Sequence, residues 1–223
     1  MHAVSRARAS RALSLLGLVL ALCALAVRPA RAESLPPPDA AATPTLAIDS
    51  LHASLLDVMK NAESLGYAGR EQKLSEVIPK HFDVDEMARK ALGEAQWKLA
   101  SEDLRRRYLE TFARFMVANY AGRFDGFSGQ SFQTLGEVQG SRDTVIVKSR
   151  LIDPTDKNVD LNYQMHKVDG AWKVIDVYLD GAVSEIALRR SEFVSIVRRQ
   201  NLDALIVALD AKIAKLKAGG DES

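Results

Sequence analysis

The segment LNYQMHKVDGAWKVIDVYLDGAVSEIALRRSEFVSIV, Leu161 to Val197, decides the fold. Val159, Leu161, Tyr163 and Met165 alternate with Asp160, Asn162, Gln164 and His166, the period of two of a half-buried strand. Asp169-Gly170 then supplies the positive φ that a primed hairpin turn requires. The return strand, Trp172 to Leu179, is apolar on both sides, with Trp172, Val174 and Tyr178 expected on one face and Ile175, Val177 and Leu179 on the other. A strand apolar on both faces must be covered on both, and one covering can be a ligand. Asp180-Gly181 makes a second turn, and Ser184 caps a helix that buries Ile186, Phe193, Val194 and Val197.

Upstream, Ser131–Val138 and Thr144–Ile152 read as two further strands, the second with Val145, Val147 and Leu151 on one face. Short turns at Arg142-Asp143 and Asp153–Asp156 imply an antiparallel meander of four strands. Helices precede it. Ile48, Leu51, Leu55, Val58 and Met59 recur at helical spacing behind a cap at Asp49 or Ser50, with Gly66 and Gly69 as breaks. A short helix is expected over Gln72–His81. Asp83 and Glu86 have the spacing of a capping box ahead of Met87 and Leu92. Ser101 caps the longest helix, whose apolar face is Leu104, Tyr108, Phe112, Phe115, Met116 and Tyr120. That face can be core or the lining of a greasy pocket. After Asn201, Leu202, Leu205, Ile206, Leu209, Ile213 and Leu216 form an amphipathic stripe. Helices, then strands, then helices give an α+β domain: one antiparallel four-stranded sheet packed against several helices, with an apolar cavity between them.

The first residues read as an export signal. Arg6, Arg8 and Arg11 precede the apolar run Leu13–Val27, which is short for a membrane span, and Ala30-Arg31-Ala32 fits a cleavage site. Residues 1–32 are therefore expected to be a signal peptide, 33–45 a Pro/Ala-rich flexible lead-in, 46–218 the folded domain and 219–223 a disordered tail. Retention of the leader as an anchor is the alternative. Loss of residues 1–32 removes five of the 30 basic residues and none of the 29 acidic ones, turning the formal charge from +1 to −4. Such a balance argues against nucleic-acid binding. The single cysteine, Cys23, lies in the leader, so the exported chain has no thiol to pair.

A catalytic constellation is missing from the sequence: it has no G-x-S-x-G, no H-E-x-x-H and no phosphate-binding glycine loop. His81, Asp83 and Asp85 have loop spacing for a hard metal, but the capping box explains the same residues, so no metal and no cofactor is expected. Asp176 interrupts an apolar face. It is either a general base in a sheet-lined pocket or a structural carboxylate paired with Arg189 or Arg190. The clusters Arg105–Arg107, Arg189-Arg190 and Arg198-Arg199 read as solvated faces or as seats for phosphates or acidic partners.

Several of these residues recur together in one known family. They are Ile78-Pro79, Phe82-Asp83 and Met87; Leu92-Gly93 with Trp97; the helix around Phe112 and Tyr120; Gly170-x-Trp172-Lys173-Val174-x-Asp176-Val177; Asp180-Gly181-x-x-Ser184; and Arg190-x-x-Phe193. In this order and spacing, over Ile48 to Leu216, they resemble the MlaC family of periplasmic lipid-binding proteins, the toluene-tolerance auxiliary components of the Mla lipid-transport system. The run Asp180 to Phe193 stands where many members carry Glu-Gly-Val-Ser before Asn-Tyr-Arg, and it looks more like the hopanoid-associated branch, HpnM.

The resemblance implies a non-enzymatic carrier that moves a membrane lipid, phospholipid or hopanoid, between an inner-membrane transporter and an outer-membrane complex. It implies acyl chains held between sheet and helices. The wall would be Tyr108, Phe112, Phe115, Met116, Val145, Val147, Leu161, Tyr163, Met165, Val174, Val177, Leu179, Ile186 and Phe193. Burial of each methylene is worth about 0.8 kcal/mol, so no head-group lock is expected to be needed. A small enzyme using Asp176 and a periplasmic scaffold that binds only protein are the two rival readings.

Overall fold

The computed structural model describes residues 43–219. The expected signal peptide, most of the lead-in and the last four residues lie outside that range. Among the described residues there are seven helices: α1 (Pro44–Lys60), α2 (Ala62–His81), α3 (Val84–Leu92), α4 (Glu94–Leu99), α5 (Glu102–Arg123), α6 (Glu185–Arg199) and α7 (Leu202–Lys217). The strands are β1 (Ser131–Gln139), β2 (Val145–Ile152), β3 (Val159–Val168), β4 (Ala171–Leu179) and β5 (Val183–Ser184). The fold is α+β. No described helix is long and apolar enough to cross a membrane.

The sheet is a meander in which each strand pairs antiparallel with the next, in the order β1-β2-β3-β4-β5. It has five strands where the sequence suggests four. Val183 and Ser184 pair with Leu179 and Tyr178 before the chain enters α6, and a two-residue strand is too short to leave a periodic signal. The hairpin turn at Asp169 (φ 50°) and Gly170 (φ 85°) has the two positive φ values that its residues foretell.

One face of the sheet carries Phe132, Val147, Leu161, Tyr163, Met165, Val174 and Val177 toward the helices. The expected face assignment of β4 is wrong for a specific reason. Gln164 pairs with Asp176 and Met165 with Val174, which leaves Ile175 as an extra, bulged residue. The bulge shifts the alternation by one. Val174 and Val177 therefore share the inner face, while Asp176 falls on the register of Gln164 and Tyr178 falls on that of Asn162.

Helices α1, α2, α3 and α6 touch the sheet directly, and α5 packs on α2, α3 and α7. Helix α1 starts earlier than its apolar spacing shows. Thr43 accepts the Leu46 amide and Pro44 occupies the first turn, where its missing N–H costs nothing. Gly66 (φ 57°, ψ −176°) leaves the helical conformation and divides α2 into two helical pieces, the break its residue type leads one to expect; the second piece begins before Gln72 and runs through Gly69 to His81. Asp83 accepts the Glu86 amide as half of the capping box. The other half is absent: the Asp83 amide donates to Val174 O, and the Glu86 carboxylate binds Arg89. This pairing covers part of the β4 edge with Phe82, a parallel bridge to Val174. Ser101, Ser184 and Asn201 cap α5, α6 and α7.

Candidate functional site

Helix α5 presents Tyr108, Phe112, Phe115 and Met116 on the side that the sequence assigns to a wall, because positions three and four apart share a helix face. Phe193 of α6 meets Tyr108 and Phe112 edge-on, with ring centroids 6.5 and 6.3 Å apart. With Val147, Leu161, Tyr163, Met165, Val174, Val177 and Ile186 these side chains form one buried cluster. Leu179 packs against its margin and is half-buried. Val145, also half-buried, lies outside the cluster at the start of β2.

The interior is not purely hydrocarbon. His52 of α1 stacks on Phe132 at 4.1 Å, and its Nε2 lies 3.2 Å from the Tyr163 hydroxyl. Burial pushes the His52 imidazole down to about 4, with Asp49 opposing the shift. Tyr108 donates to Ala88 O. Tyr120 and Tyr163 are held well above the usual phenol range, first by burial and then by the nearby Glu185 carboxylate. His81 is buried without a hydrogen-bond partner for Nε2; burial first, then Lys80 and Lys173, lower it to about 4.

Asp176 is a cap. Its Oδ1 accepts the amides of Val177 at 2.8 Å and Ile186 at 3.2 Å, and its Oδ2 accepts the Ser184 hydroxyl at 2.6 Å. These three donors are two backbone amides and a hydroxyl, not the guanidinium expected from sequence. Arg190 donates instead to Lys90 O, and Arg189 lies over the Phe115 ring. The capping role ties β4 to α6 and occupies both oxygens that a general base would need free.

Five concavities stand out among the described residues, and only one of them touches a residue of the expected wall. That one, about 310 Å³, is lined by Arg123, Leu179, Glu185, Leu188, Arg189, Glu192 and Lys212. A cleft of about 460 Å³ between α2, α3 and α5 has Ile78, Pro79, Val84, Ala113 and Val117 as its apolar lining. A groove of about 690 Å³ on the outer face of α6 carries Arg190, Arg198 and Arg199. The other two, of about 440 and 230 Å³, lie between α1 and α2 and beside the Phe82–Asp85 turn. The wall residues themselves pack side chain to side chain. A guest in that interior would have to part the helices from the sheet. No cluster of three or more metal-ligating side chains occurs among the described residues.

Sequence reasoning missed the charged pocket at Leu179. Its residues come from the end of α5, the end of β4, and α6 and α7, and no spacing along the chain brings them together.

Seven solved chains match this fold. One is a phospholipid-binding protein from Ralstonia solanacearum, solved in complex with a phospholipid. It aligns over 80% of this chain and 98% of its own, with 23% identity and a TM-score of 0.64. No curated protein matches the sequence. The sequence profile of the MlaC protein family matches residues 49–211 of the 223, and this chain belongs to the MlaC family.

Proposed function

We propose that this chain is a periplasmic lipid carrier, which binds one membrane lipid and passes it between an inner-membrane transporter and an outer-membrane complex. The observation that carries the reading is the match of nearly the whole of a phospholipid-bound protein to this chain, within a family that the sequence profile assigns independently. The interior supports it. The aromatic face of α5 and the inner face of β3 and β4 supply continuous apolar surface, and each methylene transferred from water to such surface contributes about 0.8 kcal/mol. The acyl chains lie against Phe112, Phe115 and Met116 on one side and Leu161, Tyr163 and Val177 on the other. They displace side-chain contacts that the closed interior makes with itself. The lipid is a phospholipid, with two flexible acyl chains, or a hopanoid, with a rigid fused-ring hydrocarbon body.

A transfer assay tests the carrier function. Donor vesicles hold a self-quenched fluorescent phospholipid and acceptor vesicles hold none. The purified protein should raise the rate of dequenching in proportion to its concentration. A rate equal to that of vesicles alone would refute the carrier reading.

A further inference from the structure

We infer that the outer face of α6 is a docking surface for an anionic lipid bilayer, on which the chain rests with this helix toward the phosphates. The inference goes beyond the carrier reading, because a carrier served only by protein partners need never touch a bilayer. The groove on this face is lined by Ala187, Arg190, Ser191, Val194, Ser195, Arg198 and Arg199. It holds three arginines and no carboxylate. Each of the other four concavities is lined by two carboxylates.

The fold sorts the basic clusters of the sequence. Arg105 donates to the carbonyls of Trp97 and Lys98, Arg106 is held by Asp103 and Glu110, and Arg107 by Asp203. Arg189 turns inward over Phe115. Arg190, Arg198 and Arg199 are left exposed, and no carboxylate among the described residues pairs with them. Arg190 donates only to Lys90 O. On the adjoining α3–α4 segment, Glu86 and Glu94 are taken by Arg89. The negative end of the helix dipole favours cations in the last turn of α6, which accounts for Arg198 and Arg199. It does not account for Arg190, two turns earlier, or for the lack of acids between them.

The chemistry of this face fits a lipid surface. Arg190 and Arg198 are anchored about 12 Å apart along the helix axis, a spread that suits a field of head groups better than one anion. Guanidinium groups meet phosphate oxygens in pairs, and Ser191 and Ser195 add hydroxyl donors between them. Apolar side chains are interleaved with the charges: Val194 lies half-buried in the groove, and Leu188 on its flank is 55% exposed. Basic and apolar groups on one helix face are the pattern of a helix that lies in a membrane interface. The opposite side of α6 buries Ile186 and Phe193 in the core, so the docked helix stands between bilayer and interior.

Vesicle sedimentation of the chain, as a bacterial host exports it, tests the surface. One set of vesicles is phosphatidylcholine alone, and the other is equal parts phosphatidylcholine and phosphatidylglycerol. The parent should sediment with the mixed vesicles, less so as salt rises, and not with the neutral ones. Each arginine at an anionic surface is worth roughly fivefold in affinity. Arg198→Gln/Arg199→Gln, which removes two exposed side chains without partners, should therefore weaken binding on the order of tenfold or more. Arg106→Gln/Arg107→Gln removes the same charge from paired arginines of α5 and should leave binding nearly unchanged. Equal sedimentation of the parent with both vesicles would overturn the inference, as would full binding by the α6 variant. An equal loss in the α5 variant would show that only total charge matters and would overturn it too. Retention by immobilised polyglutamate without vesicle binding would assign the face to an acidic protein and overturn the membrane assignment. The carrier reading stands or falls separately, on the dequenching assay.

Discussion

Ser184 stands between Asp176 and the first turn of α6: its hydroxyl donates to the Asp176 carboxylate at 2.6 Å and accepts the Ala187 amide at 2.9 Å. Asp176 accepts the Ile186 amide as well. Two of the orphan amides at the α6 start are thus satisfied, one by a strand residue and one by the cap that this strand residue orients. The first turn of α6 also carries Glu185, at the charged pocket, and Ile186, in the core.

Substitution at this junction should therefore cost stability. Asp176→Ala strands two buried amides and should lose about 2–4 kcal/mol, whereas Ser184→Ala should lose about 1 kcal/mol. The double variant should lose less than the sum, because both act on one network. Urea unfolding of the four proteins measures this. Strict additivity would show that the two residues act separately.

Acid should destabilise the protein through its two buried histidines. Each is held near 4 in the folded chain against an ordinary 6.5. Between those values the unfolded chain binds protons that the folded chain refuses, so stability is full above about pH 6.5 and falls as the pH drops toward 4. Below that it levels off, as far as these two groups are concerned. The loss from His52 is at most about 3 kcal/mol. His81→Leu removes an imidazole whose Nε2 has no partner, so it should flatten the acid limb and leave stability near pH 7.5 within about 1 kcal/mol of the parent or above it. Urea midpoints measured from pH 4 to 8 decide; an unchanged acid slope in His81→Leu would contradict the assignment.

The β3–β4 hairpin gives a backbone prediction. At Gly170 an added Cβ would meet nothing within 4 Å, yet φ is 85°. Gly170→Ala should thus cost about 1 kcal/mol from the backbone alone. Gly126 has the same open surroundings without a positive φ, and Gly126→Ala should stay within about 0.5 kcal/mol. Thermal melts of the two variants compare them directly. Equal costs would show that the positive φ at Gly170 is not what makes its substitution costly.

Phe193 has no exposed surface and lies edge-on to two rings. Phe193→Ala should lose about 3–5 kcal/mol, the usual range for a large core aromatic. A loss under about 1 kcal/mol, read by urea unfolding, would show that the interior collapses easily around the missing ring.

Much of this fold is legible in the sequence, and the misses share a cause. The alternation in β3, the aromatic face of α5, the caps at Asp83, Ser101, Ser184 and Asn201, and the Asp-Gly turn each have a local signal. Helix α4 buries none of its residues, so there was no apolar period to count. One bulged residue, Ile175, reverses the faces of β4 and makes Asp176 look like an intruder on the core side. The true partners of Asp176 lie beyond a turn, at Ser184 and Ile186. The pocket is less legible still. Arg123 and Arg189 are far apart in the chain, and in sequence Arg189 reads only as half of a basic pair.

Native mass spectrometry of the full chain, purified without detergent from a bacterial host, tests the central claim most directly. The account predicts a species heavier than the chain by one membrane lipid, which extraction then identifies. A bare-chain mass, with no lipid on extraction and none taken up after incubation with phospholipid vesicles, would contradict it.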